Sequence, residues 1–248
     1  MKFKVVIPAR YASQRLPGKP LLAIAGRPMI HWVWEAAMKS GADEVVVATD
    51  DQRIMQAVQA FGGQALMTSP DHPSGTDRIS EVIELMQWPD DTIVVNIQGD
   101  EPEMPTDNVF QVAELLYHAT DAVMASLYVP IDAEEDWRNP NVVKVVCTQH
   151  QRALYFSRAP MPWHRDANGF GHSVPVAGRH IGLYAYRAGF VRQYVRLPQT
   201  PLEQLEKLEQ LRVLEHGYAI AMAPCRKAPP AGVDTEADLH DVRQRLEK

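Results

Sequence analysis

Residues 4–20 read Lys4-Val5-Val6-Ile7-Pro8-Ala9-Arg10-Tyr11-Ala12-Ser13-Gln14-Arg15-Leu16-Pro17-Gly18-Lys19-Pro20. Three consecutive apolar residues stop at Pro8, and the loop beyond carries Arg10, Arg15 and Lys19, spaced by the small residues Ala9, Ala12, Ser13 and Gly18. A buried first strand that feeds a basic, glycine-containing loop and then a helix is how α/β proteins hold phosphate groups at a sheet edge. These cations stand close together in a chain of net charge −6, and Pro17 and Pro20 stiffen the segment. Arg and Lys in a surface loop are more often simply solvated, so the loop alone leaves both readings open. No G-x-G-x-x-G follows the strand. Ser13 and Pro20 also stand where a Walker A loop has its first glycine and its Ser or Thr. A dinucleotide fingerprint and a P-loop are both excluded.

Downstream, the pattern repeats strand and helix. Residues 28–40 predict a helix with Pro28 in its first turn, an apolar stripe of Ile30, Val33, Trp34 and Ala37, and Gly41 beyond its end. Residues 44–49 form a continuous apolar strand, as in a sheet covered on both faces. Asp50-Asp51 cap a helix that runs to Ala60, and residues 65–67 make a short strand. Strands alternating with helices of this length imply βαβ crossovers and a mostly parallel sheet. Residues 68–78 are a polar loop entering a helix over 77–87, with Thr76 as a candidate N-cap. Ser74-Gly75-Thr76 either caps that helix or hydrogen-bonds the edge of a base.

Residues 91–99 make another buried strand, which ends in Gln98-Gly99-Asp100-Glu101-Pro102. Ligands of open α/β sheets bind beyond the carboxyl ends of the strands, which places Asp100 near the basic loop. A carboxylate beside a phosphate cradle is repulsive unless a cation lies between them, and Mg²⁺ takes one or two carboxylates plus substrate phosphates. The second half is less regular. Residues 122–129 and 142–147 are strand-like around a charged loop at 132–139, and 153–156 and 182–186 alternate as antiparallel strands do. Between them lies a long loop over 157–180, in which Arg158, Arg165 and His180 are candidates to hold an anion.

Residues 201–216 predict one helix, opened by a Thr200/Glu203 capping box and closed by Gly217. Its apolar face of Leu202, Leu205, Leu208 and Val213 contains Glu209, with Arg212 beside it. A charge among leucines must be paired or face a polar ligand. Two readings therefore stand, an internal Glu209–Arg212 pair or a face bordering a substrate pocket. Residues 219–223 form a last strand. Asp234 or Thr235 then caps a closing helix over 236–247, and Asp234 is also placed to reach a metal.

Composition bounds the function. With 248 residues, 46% hydrophobic and 23% charged, the chain can bury one sizeable core. Its acidic balance, 31 Asp and Glu against 25 Lys and Arg, argues against nucleic acid as a partner. No apolar run approaches the roughly 18 residues that span a bilayer, and no signal-peptide pattern opens the chain. Cys147 and Cys225 are isolated thiols without metal spacing. The expectation is a cytoplasmic protein with no membrane insertion.

Taken together, IPARYASQRLPGKPL, SGTDR, VNIQGDEP, NPNVVKVV, ALYFSR, HIGLYAYR, LEKLEQLRVLEHG and GVDTEADL resemble, almost end to end, the 3-deoxy-manno-octulosonate (Kdo) cytidylyltransferases. The resemblance implies an α/β fold, with a mostly parallel Rossmann-like nucleotidyltransferase sheet flanked by helices. It also implies a smaller β-rich dimerisation part at about 125–190 within a single domain of 1–248. CTP is expected along Arg10, Ser13, Arg15 and Lys19, with Ser74, Gly75 and Thr76 reading cytosine, and Arg15, Lys19 and Asp100 as the catalytic set. Asp100 and Asp234 match magnesium ligands. Gln98, Arg158, His180, Tyr184, Glu209 and Gln210 match positions that contact the sugar acid, which favours the pocket reading of Glu209. The implied reaction is attack of the Kdo anomeric hydroxyl on the α-phosphorus of CTP, giving CMP-Kdo and diphosphate for the lipopolysaccharide inner core, by a homodimer. The same chemistry on 8-amino-8-deoxy-Kdo or a sialic acid is the alternative. Pro73 and Ala237 depart from the family pattern, and residues 159–179 match it least.

Overall fold

The computed structural model describes residues 1–12, 16–170 and 177–247. Ser13, Gln14 and Arg15, within the basic loop, lie outside the described residues.

In chain order, β1 (Lys4–Ala9) leads through a single 3₁₀ turn (Lys19–Leu21) and the short hairpin β2 (Ala23–Ile24) and β3 (Arg27–Pro28) into α1 (Met29–Lys39). Then follow β4 (Glu44–Thr49), α2 (Gln52–Ala60), β5 (Gln64–Met67), α3 (Gly75–Leu85), β6 (Ile93–Asn96) and α4 (Thr106–His118). The second half holds β7 (Met124–Pro130), α5 (Glu134–Arg138), β8 (Lys144–Cys147), β9 (Ala153–Ser157) and β10 (Ala177–Arg187). It closes with α6 (Ala188–Tyr194), α7 (Pro201–Glu206), α8 (Gln210–Glu215), β11 (Ile220–Pro224) and α9 (Glu236–Leu246).

The main sheet runs β11-β7-β10-β6-β1-β4-β5. All neighbours on this path are parallel except β10, which is antiparallel to both β6 and β7. β8 pairs with the first residues of β10, and β9 pairs with β8. Val5, Val6 and Ile7 are fully buried, as the apolar run predicts. Their alternation divides them: Val5 and Ile7 join a core with α1, α2 and α4, while Val6 joins a second core with α3, α6 and α8. The order also creates a switch point. From β1 the chain builds outward to β4 and β5, then returns to place β6 on the other side of β1. Loops after β1 and β6 therefore part at the carboxyl edge and leave a crevice between them.

Several elements differ from expectation. The helix expected over 201–216 is two helices, because Lys207 adopts a left-handed conformation (φ 55°) and the chain turns before α8 starts. Glu203 and Arg212 hold the two pieces together, so Arg212 is paired with Glu203 and not with Glu209. The cap of α3 is Ser74 in place of Thr76; the Ser74 hydroxyl accepts from Asp77 N–H at 3.2 Å. The sequence reading expects a helix after Asp100, with that carboxylate as a candidate cap, but gives no bounds for it; α4 starts at Thr106, beyond the reach of such a cap. No helix is expected over 188–194, where α6 stands, and the charged loop at 132–139 contains α5. The loop after Ser157 ends sooner than expected, since β10 already begins at Ala177.

Candidate active site

The basic loop is closed at its neck, where Gly18 N–H donates to Tyr11 O at 3.0 Å. Gly18 has φ +68°, and a Cβ there would meet the Tyr11 ring at 3.0 Å, so glycine is required on both counts. The next residue, Lys19, starts the 3₁₀ turn and extends across the crevice. Its ammonium donates to Asp100 Oδ2 at 2.8 Å, Asp234 Oδ1 at 3.1 Å and Val233 O at 2.8 Å. Burial pulls the Lys19 pKa down, but Asp100 and then Asp234 outweigh that and hold it above its ordinary value.

Asp100 arrives from β6 past Gly99, whose missing side chain lets the backbone pass Pro8 O; a Cβ would lie 2.9 Å from that oxygen. Asp234 arrives from the other end of the chain. Buried Val233 packs with Leu16, Ile24 and Met29, and its N–H donates to Asp100 O at 2.9 Å. Thr235, with Asp238, forms the capping box of α9, which leaves the Asp234 carboxylate turned to Lys19. Two carboxylates from distant parts of the chain thus converge on one cationic centre. Their hard oxygen donors suit Mg²⁺, which binds through one or two carboxylates and completes its shell with phosphates and water. Neighbouring Glu101 is half-buried, and desolvation, then Asp100, pushes its pKa up to about 8, with Arg179 opposing.

Arg10 bridges the two loops that flank the crevice, donating to His72 O at 2.6 Å and Ser74 O at 3.0 Å. The segment Ser74-Gly75-Thr76 is thereby tied to the phosphate loop, and Gly75 and Thr76 line a cavity of about 640 Å³. This cavity lies on the sheet face that β10 shares with α3 and α8. The outward alternation of β10 aims His180, Gly182, Tyr184 and Tyr186 into it. Gln98, Glu209 and Gln210 complete the group that the sequence nominates. Arg158 is elsewhere: its guanidinium donates to Glu206 O at 2.8 Å and Pro140 O at 3.1 Å.

Glu209 sits where α7 and α8 break, accepts from the Thr76 hydroxyl at 3.2 Å, and takes a Tyr194 hydroxyl on its carbonyl at 3.2 Å. Burial raises its pKa, with Thr76 and Arg212 opposing. His180 Nε2 lies 3.0 Å from Ser126 Oγ, and burial lowers the imidazole to about 3. The cavity therefore presents a neutral imidazole, three tyrosines, one carboxylate and the cations of Arg179 and Lys207, suited to a polyhydroxylated acid. Sequence reasoning missed Asn96, Arg179, Tyr186 and Tyr194, which also line it. Two of these were detectable: Asn96 stands two residues before Gln98, and Tyr186 two after Tyr184, hence on the same strand face. Asn96 Oδ1 is buried without a hydrogen-bond partner among the described residues.

A family model described as cytidylyltransferase matches residues 4–221. A Vibrio vulnificus protein named 3-deoxy-manno-octulosonate cytidylyltransferase is 55% identical over 248 residues, covering 99% of this chain and 98% of its own. An Aliivibrio fischeri protein of the same name is 54% identical over 250 residues, with full coverage of both. Among solved structures, CMP:2-keto-3-deoxy-manno-octonic acid synthetase complexed with CTP superposes with a TM-score of 0.91 at 44% identity, covering 99% of this chain and 98% of that one.

Proposed function

The chain belongs to the cytidylyltransferase family, and we propose that the crevice and cavity divide its two substrates, CTP and Kdo, between them. The reaction is transfer of the cytidylyl group from CTP to Kdo, giving CMP-Kdo and diphosphate. One observation carries the division of labour. Asp100 of the Lys19–Asp100–Asp234 cluster stands two residues beyond Gln98, which lines one cavity together with Gly75, Thr76, His180, Tyr184, Glu209 and Gln210, and the Thr76 hydroxyl on Glu209 is where the two sets of residues meet.

In this reading Arg10, Ser13, Arg15 and Lys19 hold the triphosphate, and Ser74, Gly75 and Thr76 meet the cytosine. Gln98, His180, Tyr184, Glu209 and Gln210 hold the sugar acid, and Arg158 supports the wall from outside. The anomeric oxygen forms its bond to the α-phosphorus as the bond to the departing diphosphate breaks. Lys19, a fixed cation, offsets charge accumulating on that leaving group. Asp100 and Asp234 would hold Mg²⁺, which when bound neutralises phosphate charge and acidifies a coordinated hydroxyl.

Two further elements belong to the proposal. A homodimer is supported by the outer strand β9, where Leu154 is exposed, and by exposed Leu205 on α7. No helix among the described residues is long and apolar enough to cross a membrane, in keeping with work in the cytoplasm on a precursor of the lipopolysaccharide core.

The test is diphosphate release, crossing four nucleoside triphosphates with Kdo, 8-amino-8-deoxy-Kdo and N-acetylneuraminate, with Mg²⁺ or with EDTA. Release with CTP and Kdo, abolished by EDTA, is expected, and Asp100→Asn or Asp234→Asn should lower kcat roughly 100-fold or more. Preference for another sugar would move the error to the acceptor contacts. Near-normal turnover in both variants would remove the magnesium assignment.

A further inference from the structure

One wall of the cavity consists of two segments that lie outside the regular elements: residues 141–143, before β8, and residues 207–209, between α7 and α8. Neither has the ladder of hydrogen bonds that would hold it in place as part of a strand or helix. Both are fastened to the same point, the end of β9.

Lys144 is fully buried, and its ammonium donates to Asn139 O at 2.8 Å, Val142 O at 2.6 Å and Arg158 O at 2.6 Å. All three N–H donors of the ammonium are used, so the segment carrying Asn141 and Val142 is fixed to the residue that follows β9. On the other side, the Glu206 carboxylate accepts from the Ser157 hydroxyl at 2.5 Å, Arg158 N–H at 2.9 Å and the Tyr155 hydroxyl at 3.4 Å. The Glu206 carbonyl takes Arg158 Nε at 2.8 Å, and the same guanidinium reaches Pro140 O at 3.1 Å. Lys207, Leu208 and Glu209 follow directly and line the cavity. The segment at 141–143 is also tied to the acceptor face of β10, because His180 N–H donates to Val143 O at 2.8 Å.

We propose that Glu206, acting with Lys144 through the end of β9, is a positioning residue that sets the spacing between the 141–143 and 207–209 segments and thereby the affinity for the acceptor. Among the described residues Glu206 does not line the cavity and does not touch the Lys19 cluster, and of the segment assigned to CTP only Thr76 meets this wall, through its hydroxyl on Glu209 at 3.2 Å. Loss of the buckle therefore loosens acceptor binding far more than CTP binding. The inference rests on the assignment of this end of the cavity to the sugar acid.

The experiment measures KM for Kdo at saturating CTP and KM for CTP at saturating Kdo, in the full-length wild type, Glu206→Ala and Glu206→Gln, with melting curves alongside. A lost charge-assisted hydrogen bond corresponds to about tenfold in an equilibrium. Glu206→Ala should accordingly raise the Kdo KM about tenfold and the CTP KM less than about twofold. Glu206→Gln, which keeps one acceptor and the side-chain length, should recover most of the loss. An unchanged Kdo KM, or two KM values that rise together, overturns the proposal. Should Glu206→Ala fail to fold, Ser157→Ala removes a single donor and carries the same prediction at about threefold. A wild type that does not turn over Kdo at all refutes the functional assignment itself, and is seen in the same plate before any variant is compared.

Discussion

Replacing Arg212 by Met tests how the cavity wall is held. Arg212 and Glu203 are 9% and 5% exposed, and the guanidinium donates to both carboxylate oxygens, at 2.8 and 2.5 Å. With the Arg removed, the Glu203 carboxylate keeps the Thr200 N–H at 3.3 Å. Breaking a buried pair from one side costs about 3–5 kcal/mol, because the other charge stays buried and uncompensated. In a chain of this size each 1 kcal/mol moves the midpoint by about 2–4 °C, so melting should fall by roughly 6–20 °C. The double variant Glu203→Met/Arg212→Met should regain most of that, since an apolar pair of similar volume is often neutral. Glu209→Gln serves as the contrast. Burial raises the Glu209 pKa in the folded state; stability from that group is present at acid pH and is lost as pH rises through the folded value. A neutral amide at this position should then leave melting at pH 7 unchanged or higher, while turnover falls. Differential scanning fluorimetry and urea titration measure both effects. A loss below about 1 kcal/mol for Arg212→Met, the scale of a surface pair, would refute the argument. So would a Glu209→Gln loss of equal size, which would restore the internal pair that the helical wheel allows.

Gly18→Ala introduces a Cβ at φ +68° and 3.0 Å from the Tyr11 ring. The left-handed conformation alone costs about 1 kcal/mol, so calorimetric titration should show CTP affinity falling about fivefold with melting changed by a few degrees. Unaltered affinity would mean that the loop neck does not preorganise the phosphate site. His180, lowered to about 3 by burial, stays neutral where an unfolded chain binds a proton. Its contribution to stability is therefore present above pH 6.5 and is lost as pH falls towards 3, at no more than about 1.4 kcal/mol per pH unit. His180→Gln should flatten that part of the melting profile between pH 7 and 5; equal slopes in both proteins would contradict the burial argument.

The parallel half of the fold was legible because its strands are buried on both faces and read as unbroken apolar runs. Glu44–Thr49 is found with the expected bounds, and Asp51 caps α2. The helix expected over 201–216 misled because the break rests on one backbone angle at Lys207, which no glycine or proline announces. Periodicity continues across it, and the wheel consequently placed Arg212 beside the wrong glutamate. Arg158 shows the same limit. An arginine opposite an anionic ligand and an arginine bridging two backbone carbonyls look alike in sequence, and only the position of Glu206 and Pro140 separates them. Asn96 and Tyr186 were within reach, had the two-residue period of their strands been extended by one step. The clustering of Lys19, Asp100 and Asp234 followed from the crevice rule for the first two, whereas the third depends on α9 folding back against the loop.

Charge supports the proposal that this cluster takes a metal–triphosphate complex in preference to a free triphosphate. One ammonium faces two carboxylates, so these three side chains carry about one unbalanced negative charge between them. A phosphate oxygen about 4 Å from such a charge is repelled by about 4 kcal/mol at an effective dielectric of 20, close to a thousandfold in affinity. Lys19 is already shared among three acceptors and does not reverse this unaided. A divalent cation held by Asp100 and Asp234 would reverse the sign of that interaction by neutralising their charge. Lys19, whose ammonium now serves those two carboxylates, would then have more of its charge to offer the leaving diphosphate. Removing the cation with EDTA and removing either carboxylate by substitution should for this reason act alike.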